Sequence, residues 1–353
     1  MNRLSMPKLL RKIPALTRWV CLMVLAVSTT PQMAFSQSAG VNMVARIGVL
    51  AFRGADSAHL QWQPLAKYLS DAVDGWEFEI VPLTLVSASE GIKSNGLEFL
   101  ITNPGHYVTL ARQFGLSALA TRERRTQASG IGLLRYGTVI FSLKDSGIQI
   151  LDDLKGKQVA AVSLDAFGGF QLAWQEFTNR GIDPFKDIET LRFMGFPQDE
   201  IVFSVSRGDV DAGVIRSGLL ENLDAEGRID ISDFVVLQSN SQLGYPYLVS
   251  GRLYPEWPFT ALPGIDKTLR EAVTTALLAT QQSSASNEYM LKDIWSAPLS
   301  YEDVRVVTTA YRNRDNGMSP WANLLANPLF FTFLVIALGV IMFLIWKIQP
   351  RAL

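Results

Sequence analysis

The sequence predicts a two-lobed α/β protein that ends in a transmembrane helix. Two blocks of alternating short apolar strands and amphipathic helices predict the lobes, and one long uncharged run near the C-terminus predicts the membrane helix. A third observation places the lobes outside the cytoplasm. Lys8, Arg11, Lys12 and Arg18 precede the apolar run Trp19–Val27, and Ala34-Phe35-Ser36 stands where a signal cleavage site would. That run is too short to span a hydrocarbon core of ~30 Å. Residues 1–36 are therefore expected to be an export signal.

In the first block, Val44–Ala51 reads as a buried strand and His59–Asp71 as a helix with apolar residues at helical spacing. Phe78–Leu85 and Leu97–Thr102 are further strands, and His106–Phe114 is a helix opened by Asn103-Pro104-Gly105. In the second block, Gly137–Leu143 is a strand, Ile150–Lys157 an amphipathic helix and Gln158–Ser163 a strand. A helix over Phe170–Arg180 follows, then a strand over Asp187–Met194 and a helix over Gln198–Arg207. Asp211–Ile215 is a strand, Ser217–Glu226 a helix and Val235–Gln238 a strand. Helices over Asp266–Gln282 and Asp303–Tyr311 close the body. The order implies parallel sheets covered by helices, with lobe 1 over 44–138 and 239–311 and lobe 2 over 139–238.

Leu329–Trp346 carries no charge and is long enough to span a bilayer. Lys347 and Arg351 follow it, which places the last residues in the cytoplasm and the body in the periplasm, at the inner membrane. The only cysteine, Cys21, lies in the expected signal, so the body has no disulfide framework.

Charge excludes one class of partner. Of 32 basic residues, five precede Gln37 and two follow Asn327, leaving 25 against all 33 acidic residues, a body near −8. Such a body offers no general footprint for nucleic acid, and an anionic ligand would need a local site. Enzyme signatures are missing too. His59 and His106 are the only histidines, and no zinc spacing, nucleophile elbow or phosphate loop occurs. A non-enzymatic binding role without cofactor or metal is expected.

Several stretches resemble the phosphonate-type periplasmic solute-binding family. Tyr136-Gly137-Thr138-Val139-Ile140 and Leu151–Ala160 (LDDLKGKQVA) look like its crossover strand and second-lobe opening. Thr102–Tyr107 (TNPGHY) resembles its first-lobe turn and Gly208–Val214 (GDVDAGV) a second-lobe strand. Gly244-Tyr245-Pro246-Tyr247 sits where the chain would return to the first lobe. Asn103–Tyr107, Asp165–Phe170 (DAFGGF) and Val214–Glu221 (VIRSGLLE) resemble more closely the sensor regions of tetrathionate-type histidine kinases. The resemblance implies a type II periplasmic-binding fold with a ligand between the lobes. Phosphonate binders usually carry a Ser/Thr-rich turn where this chain has Asp165–Gly169. Kinases continue past the membrane helix, whereas few residues follow Trp346 here, so the expected partner is a separate membrane histidine kinase or an ABC permease.

Ligands of open α/β sheets bind beyond the carboxyl ends of strands, at helix N-termini. Asn103, Gly105, His106 and Tyr107 form one candidate turn, and Asp165, Phe167, Gly168 and Gly169 a second, whose glycines suit a backbone-lined site. Arg216 ends a strand and offers a fork for an oxyanion; the alternative is a surface pair with Glu221 or Glu226. Tyr136 is a candidate at the crossover, with Arg135, Phe52 and Arg53 secondary. Arg122, Arg124 and Arg125 read as a solvated surface run. A small oxyanion is the expected ligand.

Overall fold

The computed structural model describes residues 43–125, 132–240 and 244–316. The expected signal and the expected membrane helix lie outside the described residues. Among the described residues no helix is long and apolar enough to cross a membrane.

The chain builds two sheets. β1 (Met43–Leu50), α1 (Ala55–Ala72), β2 (Trp76–Leu83), α2 (Leu85–Lys93), β3 (Phe99–Ile101) and α3 (Pro104–Phe114) come first. β1 pairs in parallel with β2 and β3, because β-branched and aliphatic side chains on both faces let it be covered twice. β4 (Ser117–Arg125) and the short β5 (Gly132–Leu133) follow; β12 (Pro258–Ala261) and β13 (Asp293–Ser296) return to this sheet much later. Its order is β13-β4-β12-β3-β1-β2, with β5 on β4. The late strands pair antiparallel, so the sheet is mixed where an all-parallel one was expected.

The second sheet comprises β6 (Arg135–Leu143), β7 (Gln158–Ala161), β8 (Thr190–Phe193), β9 (Ala212–Arg216), β10 (Phe234–Val236) and β11 (Ser250–Pro255). The order is β10-β6-β9-β7-β8, with β11 on β6. α4 (Leu172–Asn179), α5 (Asp199–Ser206) and α6 (Leu219–Ala225) cover it. This sheet takes in Arg135–Thr138 and Ser250–Pro255, which the sequence reading assigns to the first lobe. α7 (Lys267–Ala279), α8 (Ser283–Glu288) and α9 (Glu302–Arg312) complete the described chain. α9 buries Val304 and Val307 in the first core and Tyr311 in the second, so it packs on both halves.

Two expectations fail locally. Ile150–Lys157 is not an α-helix but a 3₁₀ turn over Leu151–Leu154. The Asp153 carboxylate accepts from the backbone N–H of Gln149 and Ile150, at 2.8 and 3.0 Å, and this local capping competes with helical pairing. The stretch that contains the supposed solvated surface run Arg122, Arg124 and Arg125 holds β4, which pairs on both edges with β12 and β13.

The chain crosses between sheets twice within hydrogen-bonding distance. Leu134 alone separates β5 from β6, and Glu256-Trp257 alone separate β11 from β12. The Glu256 N–H donates to the Leu134 carbonyl at 2.8 Å, so the crossovers lie side by side.

Candidate functional site

Strand ends of both sheets converge beside these crossovers. Asn103 caps α3 through its side-chain oxygen, which accepts from the His106 N–H at 2.9 Å, and Pro104 occupies the first turn. After β7, the chain turns through Ala166 into a π-helical turn over Phe167–Gln171. Arg216 ends β9. Asn103, Tyr136, Phe167, Gly168, Gly169 and Arg216 share the wall of one small void. Its volume is about 10 Å³, roughly the room of one water molecule.

The other predicted residues lie around this junction in different settings. A side chain at Gly105 would place Cβ 2.5 Å from the Phe167 ring, so glycine here lets the two halves meet. At Gly168 a Cβ would stand 2.7 Å from the Tyr136 ring, and at Gly169 2.4 Å from Val162. These glycines, read as a backbone-lined cradle, serve close packing. His106 is buried with Nδ1 2.9 Å from the Thr102 hydroxyl, and burial pulls its pKa down to about 4. Tyr107 is half-buried, edge-on to Tyr301 with ring centroids 5.1 Å apart. Asp165 is exposed and does not share the void.

Arg216 lies at the centre. Its guanidinium Nη2 donates to Glu256 Oε1 at 2.6 Å, and both side chains are almost wholly buried. Neither Glu221 nor Glu226 is its partner. The cation also stands 4.7 Å from the Tyr136 ring centroid, 5.2 Å from Phe52 and 5.4 Å from Trp257. Burial, the largest single influence, acts to lower its pKa, but Glu256 together with Tyr136 and Tyr245 raises it by more and the net shift is upward. Nε and Nη1 of Arg216 have no hydrogen-bond partner. A buried charged donor left so is costly unless rings or a ligand compensate it.

A larger cavity of about 550 Å³ opens from Arg216 toward solvent. Arg53, Arg122, Arg124, Arg125, Arg216 and Lys292 line it, against only Glu226 and Asp293. This corrects the reading of Arg122, Arg124 and Arg125 as a solvated surface. Arg122 is buried, paired with Asp293 at 2.7 Å, and its cation lies 5.1 Å from Trp62 and 6.0 Å from Trp257. Arg124 crosses to the second half, donating to Asn222 Oδ1 at 2.8 Å beside the Tyr247 ring, 5.0 Å away. Burial lowers its pKa, and the neighbouring Arg216 and Arg122 cations lower it further. The missed signal was strand periodicity: residues two apart on β4 share a face, so Arg122 and Arg124 point together.

Arg53 also bridges the halves. It donates to Asp199 from Nε at 3.0 Å and Nη2 at 2.7 Å, and to Glu226 from Nη1 at 2.6 Å. The Glu226 bond leads the influences that raise its pKa. A second groove of similar volume, about 580 Å³, lies away from the junction and contains none of the predicted residues. Among the described residues no cluster of His, Cys, Asp or Glu could hold a metal ion.

Comparison with known proteins places this geometry. The family model for the periplasmic substrate-binding protein of phosphonate ABC transporters matches residues 47–302. The tetrathionate sensor histidine kinase TtrS of Salmonella typhimurium is 36% identical over 275 residues, 78% of this chain. The chain spans only 45% of that kinase's length. Among solved structures, PhnD1 of Prochlorococcus marinus in complex with methylphosphonate superposes with a TM-score of 0.63 at 14% identity, covering 76% of this chain and 98% of that one. A binding-protein component of an ABC phosphonate transporter from Pseudomonas aeruginosa superposes with a TM-score of 0.64 at 12% identity, covering 79% and 90%. These likenesses show a two-sheet periplasmic-binding fold, and the matched family model shows that the chain belongs to the phosphonate-type periplasmic substrate-binding family.

Proposed function

We propose that this protein is a periplasmic sensor, anchored in the inner membrane by its C-terminal helix, that closes two lobes on a small oxyanion. It signals through a separate membrane partner such as a histidine kinase. The ligand sits in the cavity of about 550 Å³ that opens beside the strand-end junction, with Arg216, which lines both, as its principal cation. The observation that carries this reading is Arg216. It is buried at the junction of both sheets, with two guanidinium nitrogens free of hydrogen bonds beside a cation-lined cavity. A guanidinium is suited to oxyanions because its fork matches two oxygens at once. The sensor role is supported by likeness to a sensor kinase over most of this chain, and a sulfur oxyanion is favoured by that relative's name.

The test is a thermal-shift series on the full chain in detergent with tetrathionate, thiosulfate, sulfate and methylphosphonate. A true ligand at 100 times its Kd adds about 2.7 kcal/mol of stability. Arg216→Lys should remove most of that gain. If no oxyanion raises the melting temperature, the ligand class is wrong.

A second reading is the binding component of an ABC transporter, favoured by the description of the matching family. Deleting the gene distinguishes the two. Loss of oxyanion-dependent transcription with intact uptake supports the sensor, and loss of uptake supports the transporter.

A further inference from the structure

We infer that Arg53 is a releasable clamp between the two halves, and that Arg228 takes over its carboxylates when the clamp opens. This rests on the reading above that the halves close on a solute, and it names the residues that set the balance between open and closed.

Arg53 belongs to the first half, just after β1, and its acceptors belong to the second. All three guanidinium nitrogens are used across the junction. Nε and Nη2 donate to Asp199, the first residue of α5, at 3.0 and 2.7 Å. Nη1 and Nη2 donate to Glu226, the residue after α6, at 2.6 and 2.8 Å. Paired bonds from a planar fork fix orientation as well as distance. Beside them, the Phe52 carbonyl accepts from the Gln198 N–H at 2.9 Å. Two consecutive residues of one half are thus tied to two consecutive residues of the other. Arg53 and Glu226 both line the cavity of about 550 Å³, so the clamp is part of its wall.

Arg228 makes the clamp releasable. It lies in the second half, with Nη1 2.7 Å from Asp199 Oδ2 and 3.6 Å from Glu226 Oε2. Its cation rests 4.8 Å from the ring of Phe203 on α5, which holds it in place without help from Arg53. Two arginines, one from each half, therefore compete for the same two carboxylates. An ion pair is hard to open when opening leaves a buried charge alone. Here none is left alone. Asp199, whose side chain is 6% exposed, keeps Arg228, and Arg53, already 16% exposed, moves into water. Arg216 and Glu256 offer no such exchange, since both are almost wholly buried and among the described residues no second carboxylate pairs with Arg216. The other polar tie at the cavity, from Arg124 to Asn222 Oδ1, ends on a neutral acceptor and is weaker than an ionic one.

The test is a spin-label distance measurement on the full chain in detergent, with no solute added. Labels go on Asp56→Cys in α1 and Glu200→Cys in α5, in a Cys21→Ser background; both positions are exposed and lie in opposite halves. A short and a long distance are expected at low salt, the short one dominant. Arg53→Gln should raise the ratio of long to short about threefold or more. Arg53→Lys, which keeps the charge and loses the fork, should raise it less. Salt at about 1 M should act on wild type as Arg53→Gln does and add little in that variant. Arg228→Gln separates exchange from a static network by sign. The carboxylates depend most on Arg228 when Arg53 is away, so its loss should favour the short distance, whereas a static network would loosen. An unchanged melting temperature, within a few degrees of wild type, shows that the variants fold. Distances unmoved by Arg53→Gln overturn the clamp, and a longer distance in Arg228→Gln overturns the exchange. Both results leave the oxyanion reading standing, because that reading is tested by solute binding alone.

Discussion

The two ends of the junction between the sheets are built on opposite principles. At the inner end, shape joins the halves: Phe167 presses on Gly105 across the junction while Tyr136 packs on Gly168 within the second half, with space for roughly one water. At the outer end, charge joins them: Arg53 reaches Asp199 and Glu226, and Arg124 reaches Asn222, around a cavity of about 550 Å³. Packing contacts tolerate almost no displacement, whereas ion pairs beside water exchange partners at small cost. The difference marks the inner end as the closely packed seam and the outer end as the side that carries the open cavity.

Glu256 links the two ends, and its loss should have the largest effect. Glu256→Gln leaves Arg216 as a buried cation without its counter-charge and should cost about 3–5 kcal/mol, read from the denaturation midpoint. Adding Arg216→Met should recover part of the loss. If the single variant is near wild type, the pair at 2.6 Å is not what holds the seam.

His106 tests the seam by pH. Its pKa falls from 6.5 to about 4 because burial disfavours the cation. Below 6.5 the unfolded chain takes up a proton that the folded one refuses, so stability declines as pH drops from 6.5 toward 4 and this contribution levels off below that. The full swing is about 3 kcal/mol. His106→Gln should flatten the profile in that window; an unchanged profile would assign the acid sensitivity to other groups.

Gly105→Ala and Gly168→Ala should each cost about 1–3 kcal/mol through overpacking against Phe167 and Tyr136. Wild-type stability in both would show that Phe167 and Tyr136 give way to an added methyl group, which would otherwise stand 2.5 and 2.7 Å from their rings.

Arg53→Gln probes the charged end and should cost about 1 kcal/mol or less, because Glu226 is partly exposed and Arg228 still reaches Asp199. The cost should shrink at high salt. A salt-independent cost would assign Arg53 a packing role instead.

Much of the alternating grammar was legible in the sequence, because buried parallel strands such as β1 and β7 read as apolar runs bounded by turn residues. β4 escaped because its charged face is charged for the cavity: Arg122 and Arg124 look like surface until aromatic rings and Asp293, 171 residues away, enclose them. β12 and β13 escaped because their partners are equally distant in sequence. Asn103-Pro104-Gly105 was legible as the turn that opens a helix; the capping role of the Asn103 side chain came from the structure. Arg216 was legible as a strand-end cation, but not its partner, since Glu256 lies 40 residues on in a connection with no periodicity. The glycines at 105 and 168 were legible as close-approach positions; what approaches Gly105 is the Phe167 ring from the facing half and what approaches Gly168 is the Tyr136 ring of its own half, which only the assembled fold reveals.

One consequence of the short crossovers concerns leverage. A single residue, Leu134, and the pair Glu256-Trp257 are the strand-to-strand links between the sheets, and they are bonded to each other at 2.8 Å. Any swing of one sheet against the other must twist this narrow axle, and Glu256 on the axle is the counter-ion of Arg216. Under the oxyanion reading proposed above, an anion drawing on Arg216 would pull at the fulcrum itself, where a shift of a fraction of an ångström would become a wide sweep at the rim.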